Sequence, residues 1–156
     1  MTIFIDVEYL NSYRKLNLPE LEYQHEEDAC FDLRTVETLE FPAGPRNSGH
    51  GSVIKAPTGI KVHIPEKTAM LIIPRSGLHK YGVTMANNIG VIDPNYRGEI
   101  IIPLIKFDHS ETVITAGQRI VQAFVVPLPN MVFRTVDAVD SETERGKDGF
   151  GSTGDF

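Results

Sequence analysis

The chain carries a single cysteine, Cys30, in 156 residues. One thiol cannot build an intramolecular disulfide framework, and such sparing use suits a reducing compartment. Positive charge is in deficit as well: 15 Lys and Arg stand against 21 Asp and Glu, for a formal net charge of −6. A general nucleic-acid binder needs a basic face to displace counterions, so that class is disfavoured. A small phosphate ligand stays compatible, because its site needs only a few local cations. No apolar run approaches the ~18 residues of a membrane span. The N-terminal stretch MTIFIDVEYLNSYRKLNL lacks the basic start and apolar core of a secretory leader. The expected location is the cytoplasm, with neither membrane nor nucleic acid as partner. Metal-ligand spacing is missing too. His25, His50, His63, His79 and His109 are scattered, whereas a zinc-type site needs clustered Cys and His. Neither a Walker nor a Rossmann glycine pattern occurs.

What the chain does have is β-type sequence. Short runs rich in Val, Ile, Thr and Phe recur at 3–9, 31–36, 52–56, 59–64, 68–73, 81–85, 89–92, 99–105, 111–115, 119–126 and 131–136. Such runs fit pleated, half-buried surfaces. The 10 prolines and 13 glycines between them supply tight connections. The length suits one domain with a real core, and 41% hydrophobic and 23% charged residues are ordinary for a globular protein. The fold class expected is all-β: a sandwich, barrel or jelly roll. Helix is confined to one short turn at 76–80, with a weaker candidate at 19–28. The loop AGPRNSGHGS, 43–52, reads as an exposed hairpin extension. Residues 1–136 form the β domain, and the charged, apolar-poor stretch 137–156 falls outside its core.

Five segments group polar side chains and glycines beside these runs. DACFDLR, 28–34, places Asp28 and Asp32 on one face of a strand, which also reads as a solvated edge. PRSGL, 74–78, combines Arg75, Ser76 and Gly77 at a strand-to-helix junction. Guanidinium and free N–H groups there suit a phosphate, and equally a capping turn. NNIGVIDPNYRGEI, 87–100, is hairpin chemistry that brings Asn87, Asp93 and Tyr96 together. An amide, a carboxylate and a flat ring make a nucleoside pocket. AGQRIVQAFVVP, 116–127, puts Gln118, Ile120, Gln122 and Phe124 on one parity and Arg119, Val121, Ala123 and Val125 on the other. An inward glutamine there takes a ligand or a neighbouring backbone as partner. RGKDGFGSTGDF, 145–156, is glycine-rich around Phe150, Ser152 and Thr153, with Arg145 at its head. It reads as a frayed terminus or as a mobile arm that closes over an anion.

In this order the five segments resemble the five motifs of the trimeric dUTP diphosphatases, the dUTPases. DACFDL is similar to the first, with Cys30 and Phe31 in place of the usual Gly-Tyr. PRSGL matches the second, NIGVIDPNYRGEI the third, GQRIVQAFVVP the fourth and RGKDGFGSTG the fifth. The resemblance implies a jelly-roll, distorted-barrel subunit and a homotrimer with three shared active sites. Each site would take motifs from more than one chain, and 137–156 would be an arm closing over a neighbour's site. It implies hydrolysis of dUTP to dUMP and pyrophosphate, limiting uracil incorporation into DNA and supplying dUMP for thymidylate synthesis. Asp93 would orient and deprotonate the attacking water. Asn87, Gly90, Val91 and Ile92 would hold uracil, Tyr96 would lie under the deoxyribose, and Phe150 would stack on the base. Arg75, Ser76, Gly77, Gln122, Arg145, Gly151, Ser152 and Thr153 would hold the phosphates. Mg²⁺ would bind the triphosphate, with Asp32 in its outer shell through water.

Two other readings stay open from the residues. A dCTP deaminase shares the fold and acts on the base, and a non-catalytic relative would bind dUTP to regulate a protein partner. The Gly-rich fifth segment and the Asp-Pro-Asn-Tyr-Arg turn oppose the first; Asp93 opposes the second.

Overall fold

In a computed structural model, described for residues 2–44 and 53–139, alternating side chains decide which face of each strand is covered. β1 (Asp6–Tyr9) pairs antiparallel with β5 (Ile60–His63), and a one-turn helix, α1 (Asn11–Lys15), follows β1. β2 (Phe31–Arg34) buries Phe31 and Leu33 and leaves Asp32 and Arg34 partly open. Opposite faces of a strand carry alternate residues, so the apolar pair enters the core and the charged pair leaves it. β3 (Leu39–Phe41) pairs with β10 (Thr112–Ile114). A three-stranded sheet orders β4 (Ile54–Pro57), β9 (Ile101–Lys106) and β7 (Val83–Met85). A four-stranded sheet orders β2, β11 (Arg119–Pro127), β6 (Thr68–Pro74) and β8 (Gly90–Ile92). All these pairings are antiparallel. The architecture is mostly β, of jelly-roll type.

Leu33, Ile60, Met70, Ile72, Ile102, Leu104, Ile114 and Ile120 are fully buried and draw the sheets into one core. Gly59 closes the β4–β5 turn at φ +69, and a Cβ there would lie 2.7 Å from Val36 Cγ1. Positive φ and no room for a side chain make glycine the residue that fits. Tyr13 anchors α1 in the core, with its hydroxyl donating to the Pro19 carbonyl (2.5 Å). Burial pushes its phenol above the usual tyrosine range, and neighbouring Tyr9 adds to that.

Several expectations change. The stretch 131–136 forms no strand; Val132 and Phe133 are 93% and 95% exposed. Alternation alone makes no strand without an edge to pair with. Residues 19–28 are turns and bends, not helix, and α1 and β3 are extra elements. A single helical turn or a three-residue strand is too short to show periodicity. The expected helix at 76–80 is a 3₁₀ turn at Leu78–Tyr81. Most of the 43–52 loop and of the 137–156 stretch lies outside the described residues. No helix among the described residues is long and apolar enough to cross a membrane.

Candidate active site

Two clefts hold the sequence-flagged residues. The first is a basin of about 640 Å³ where β2, β6 and β11 run side by side; Asp32, Arg75 and Gln122 line it, with Gln24, His25, Asp28, Ala29, Cys30 and Arg119. Its centre is the Asp32 carboxylate. Arg75 Nε donates to Asp32 Oδ1 at 2.5 Å, and one terminal nitrogen of Arg119 donates to Oδ2 at 3.1 Å. The Asp32 side chain is only 14% exposed. A half-enclosed carboxylate needs charged partners of this kind, and charge-assisted bonds to guanidinium are the strong ones. Two guanidiniums on one carboxylate leave this trio with net positive charge, which suits a phosphate chain.

The backbone explains how β11 supplies two basin residues. Gln122 stands opposite Asp32 and Arg119 opposite Arg34, with a register shift between Arg119 and Val121. Such a β-bulge inserts one residue and reverses the face that follows. Ile120 and Val121 are therefore both fully buried, while Arg119 and Gln122 both reach the basin. This corrects the simple alternation, which sends Arg119 and Gln122 to opposite faces. Asp28 needs a correction too. It lies ahead of β2 in a turn, its N–H bonded to the His25 carbonyl (3.1 Å) and its Oδ2 accepting from the His25 N–H (2.9 Å). It reaches the basin by that turn, not by sharing a strand face with Asp32.

Ser76 and Gly77 follow Arg75 at the basin's edge without lining it. The Leu78 N–H bonds the Arg75 carbonyl (3.0 Å), and the His79 ring Nδ1 lies 2.5 Å from the Ser76 carbonyl. A Cβ on Gly77 would meet nothing within 4 Å, so open space adjoins that backbone.

The second cleft, of about 340 Å³, is lined by Asn87, Gly90, Val91, Ile92, Asp93 and Tyr96 over an apolar floor of Ile72, Met85, Ile101, Ile102 and Pro103. The β7–β8 connection places Asn87 at the mouth, with Asn88 in the left-handed region (φ 57) and the Ile89 N–H folded back onto the Asn87 carbonyl (2.6 Å). Gly90 pairs with Ile72, and a Cβ there would stand 3.3 Å from Ile72 Cβ and 3.8 Å from the Asn87 amide nitrogen. The turn after β8 is held by its own side chains. Tyr96 N–H bonds the Asp93 carbonyl (3.1 Å), Tyr96 hydroxyl donates to the Glu99 carbonyl (2.8 Å), and Arg97 donates to the carbonyls of Pro94 (2.6 Å) and Tyr96 (2.9 Å). Glu99 ties that turn to the core by accepting from the Gly59 N–H (2.8 Å). Asp93 is thus an exposed carboxylate on a braced turn.

The structure brings Asn87, Gly90, Val91, Ile92, Asp93 and Tyr96 together, and separately Asp32, Arg75 and Gln122; the two clefts share no lining residue. Arg145, Phe150, Gly151, Ser152 and Thr153 lie outside the described residues. Reasoning from sequence missed Arg119, Gln24, His25 and the thiol of Cys30 as basin walls, and the apolar floor of the second cleft. For Arg119 the signal was its place in GQRIVQ, masked by the parity argument. Burial pushes the Cys30 thiol above the usual cysteine range, and the acids Asp32 and Asp28 add to it. A thiol held in its protonated form is a poor nucleophile, so Cys30 serves as wall. No group of three or more His, Cys, Asp or Glu among the described residues is placed to hold a metal ion. The chemistry open to such a site is nucleotide binding with carboxylate-assisted attack by water.

Comparison with known proteins points the same way. The family model described as dUTPase matches residues 17–154. Deoxyuridine 5'-triphosphate nucleotidohydrolases from Crocosphaera subtropica and from a Picosynechococcus species are 40% and 45% identical over 134 and 136 residues, covering 85% of this chain and 89% of each relative. That of Nitrosospira multiformis is 36% identical over 152 residues, 96% of this chain and 97% of its own. In fold, the Staphylococcus bacteriophage 80alpha dUTPase solved with dUpNHpp superposes with a TM-score of 0.79 at 24% identity, covering 98% of this chain and 99% of that one. The Streptococcus mutans dUTPase gives 0.68 at 25% identity over 81% of this chain and 98% of its own. A family match running through both clefts, with close relatives along most of the length, places this chain in the dUTPase family.

Proposed function

We propose that the protein hydrolyses dUTP to dUMP and pyrophosphate, the activity its bacterial relatives are named for. The observation that carries this reading is Asp93 on a braced turn at the rim of a nucleoside-sized cleft that also holds the Asn87 amide. Asn87 and the backbone of 90–92 pair with the polar edge of uracil. Cytosine presents a donor where uracil presents an acceptor, which leaves a group unmatched at a cost of about 1–3 kcal/mol. Tyr96 packs under the deoxyribose and leaves no space for a 2′-hydroxyl. Arg75, Ser76, Gly77 and Gln122 hold the phosphates. Asp93 orients a water and takes its proton as the new bond to the α-phosphorus forms. The bond from that phosphorus to its bridging oxygen breaks, and pyrophosphate leaves with the electron pair. Such chemistry is mainly positioning and charge stabilisation.

The residues of the basin fit a Mg²⁺–triphosphate. Asp32 uses one contact on each oxygen, and a carboxylate has about four acceptor sites, so both oxygens can still receive water molecules. Asp32 would hold the ion through such water, which suits magnesium's reluctance to shed its waters, and the bound ion would supply neutralisation of the charge that gathers on the leaving pyrophosphate.

The active site is assembled from several copies in a homotrimer. That the two clefts share no lining residue is compatible with a site built from different chains. Exposed Met131, Val132 and Phe133 support it further, as apolar side chains at 72–95% exposure gain from burial against another chain. Residues 137–156 act as the arm, with Arg145, Gly151, Ser152 and Thr153 on the phosphates and Phe150 on the base. Light scattering gives a mass near three chains if this holds; a monomer at assay concentration refutes the shared site. For the activity, the protein is mixed with Mg²⁺ and dUTP or dCTP. Pyrophosphate from dUTP supports the proposal, ammonia from dCTP indicates a deaminase, and binding without product indicates a regulatory nucleotide binder.

A further inference from the structure

We infer that Arg119 is a positioning residue for phosphate capture: it fixes the Asp32 carboxylate, and through it the Arg75 guanidinium, in the geometry the triphosphate meets. This rests on the phosphate-binding role proposed for the basin. The β-bulge is the first observation. Without the shift between Arg119 and Val121, Arg119 would turn away from the basin face that carries Gln122 and Asp32. Bulges recur where a site needs a side chain re-aimed. The second is the contact chain. Arg119 donates to the Gln24 side-chain carbonyl (3.3 Å) and to Asp32 Oδ2 (3.1 Å), and Asp32 Oδ1 receives Arg75 Nε (2.5 Å).

The terminal torsion of an aspartate is soft and roughly two-fold. Held by Arg75 alone, the Asp32 carboxylate would pivot about that single bond and Arg75 would move with it. A second guanidinium on the other oxygen removes that freedom. Arg75 engages Asp32 through Nε, which leaves N–H groups on its terminal nitrogens to donate to phosphate oxygens. Arg34, opposite Arg119 on β2, is turned off to the Gly117 carbonyl (2.8 Å) and does not compete for Asp32.

The test measures equilibrium binding by calorimetry of an α,β-imido analogue of dUTP, with and without Mg²⁺, alongside inhibition by deoxyuridine and thermal melting. Arg119→Gln weakens the imido analogue about 10-fold or more, the scale of a lost charged hydrogen bond, and raises the Mg²⁺ needed for half-maximal binding. Deoxyuridine, which lacks phosphates, inhibits the variant as it inhibits the parent. Arg119→Lys keeps the charge but not the planar, pre-organised guanidinium and recovers only part of the affinity. In an Asp32→Asn background, Arg119→Gln costs little more, because the residue acts through that carboxylate. Parent-like affinity of Arg119→Gln for the imido analogue overturns the inference. So does a parallel loss of deoxyuridine inhibition and melting temperature, which marks a merely structural role, and so does full additivity with Asp32→Asn. Failure of the parent protein to bind the imido analogue is a separate result: it removes the proposed function itself.

Discussion

The basin and the second cleft solve opposite problems around one shared strand. In the basin, charged groups face one another across β2, β6 and β11, and geometry is set by the pairing of Asp32 with Arg75 and Arg119. In the second cleft the floor is apolar, and geometry is set by packing of Ile72, Met85 and Ile102 near Gly90. β6 serves both: Ile72 pairs with Gly90 of β8, and Arg75 follows the strand's end into the basin. A phosphate chain is recognised by fixed charge and a base by shape and a few hydrogen bonds. The proposed division of tasks would let each cleft be tuned without disturbing the other.

The comparison breaks most sharply at Asp93. Asp93→Asn is expected to lower turnover by about 10²–10⁴-fold while binding of the imido analogue stays close to parental; pyrophosphate release and calorimetry read the two sides. Near-normal turnover would move the base elsewhere. Next in size is Arg75→Gln, with an expected loss of about 10–100-fold in triphosphate affinity and no change in deoxyuridine inhibition. Equal losses for both ligands would mean the clefts are not independent.

Gly90→Ala tests the other side. Its added methyl crowds Ile72 at 3.3 Å, so a cost of about 1 kcal/mol in stability and weaker deoxyuridine inhibition are expected, read by denaturation and by competition. Unchanged deoxyuridine inhibition would take Gly90 out of the base pocket. The smallest effect falls on Cys30. Its raised thiol pKa keeps the thiolate scarce, so alkylation at pH 7 runs slower than for a free thiol and accelerates as pH rises. The imido analogue slows it further because Cys30 lines the basin, and deoxyuridine leaves it unchanged. Protection by deoxyuridine would contradict the division of the clefts.

Much of this was legible in the chain. The Asn87–Tyr96 stretch carries an amide, an acid and a ring, and those groups do line one cleft; the hairpin expected there does not form, because β8 pairs with β6 and β9 with β4 and β7. PRSGL places its arginine beside a turn, as found. Other features were hidden for physical reasons. The 131–136 run alternates like a strand, yet it pairs with no strand among the described residues. α1 and β3 are too short to carry a period. Arg119 was hidden because alternation holds only while register holds, and one inserted residue cancels it.

The order and chemistry of the motifs, the β class and the lack of a metal-ligand pattern come from the sequence alone, because they depend on residue types and on spacings shorter than a strand. Tertiary structure decided that Asp32 sits between two guanidiniums, that Arg119 and Gln122 share a face, and that Asn87, Asp93 and Tyr96 line one cleft while Asp32, Arg75 and Gln122 line another. Those facts join residues as far apart as Asp32 and Arg119, 87 positions along the chain. Only the register of paired strands, bulge included, brings such groups within hydrogen-bonding distance.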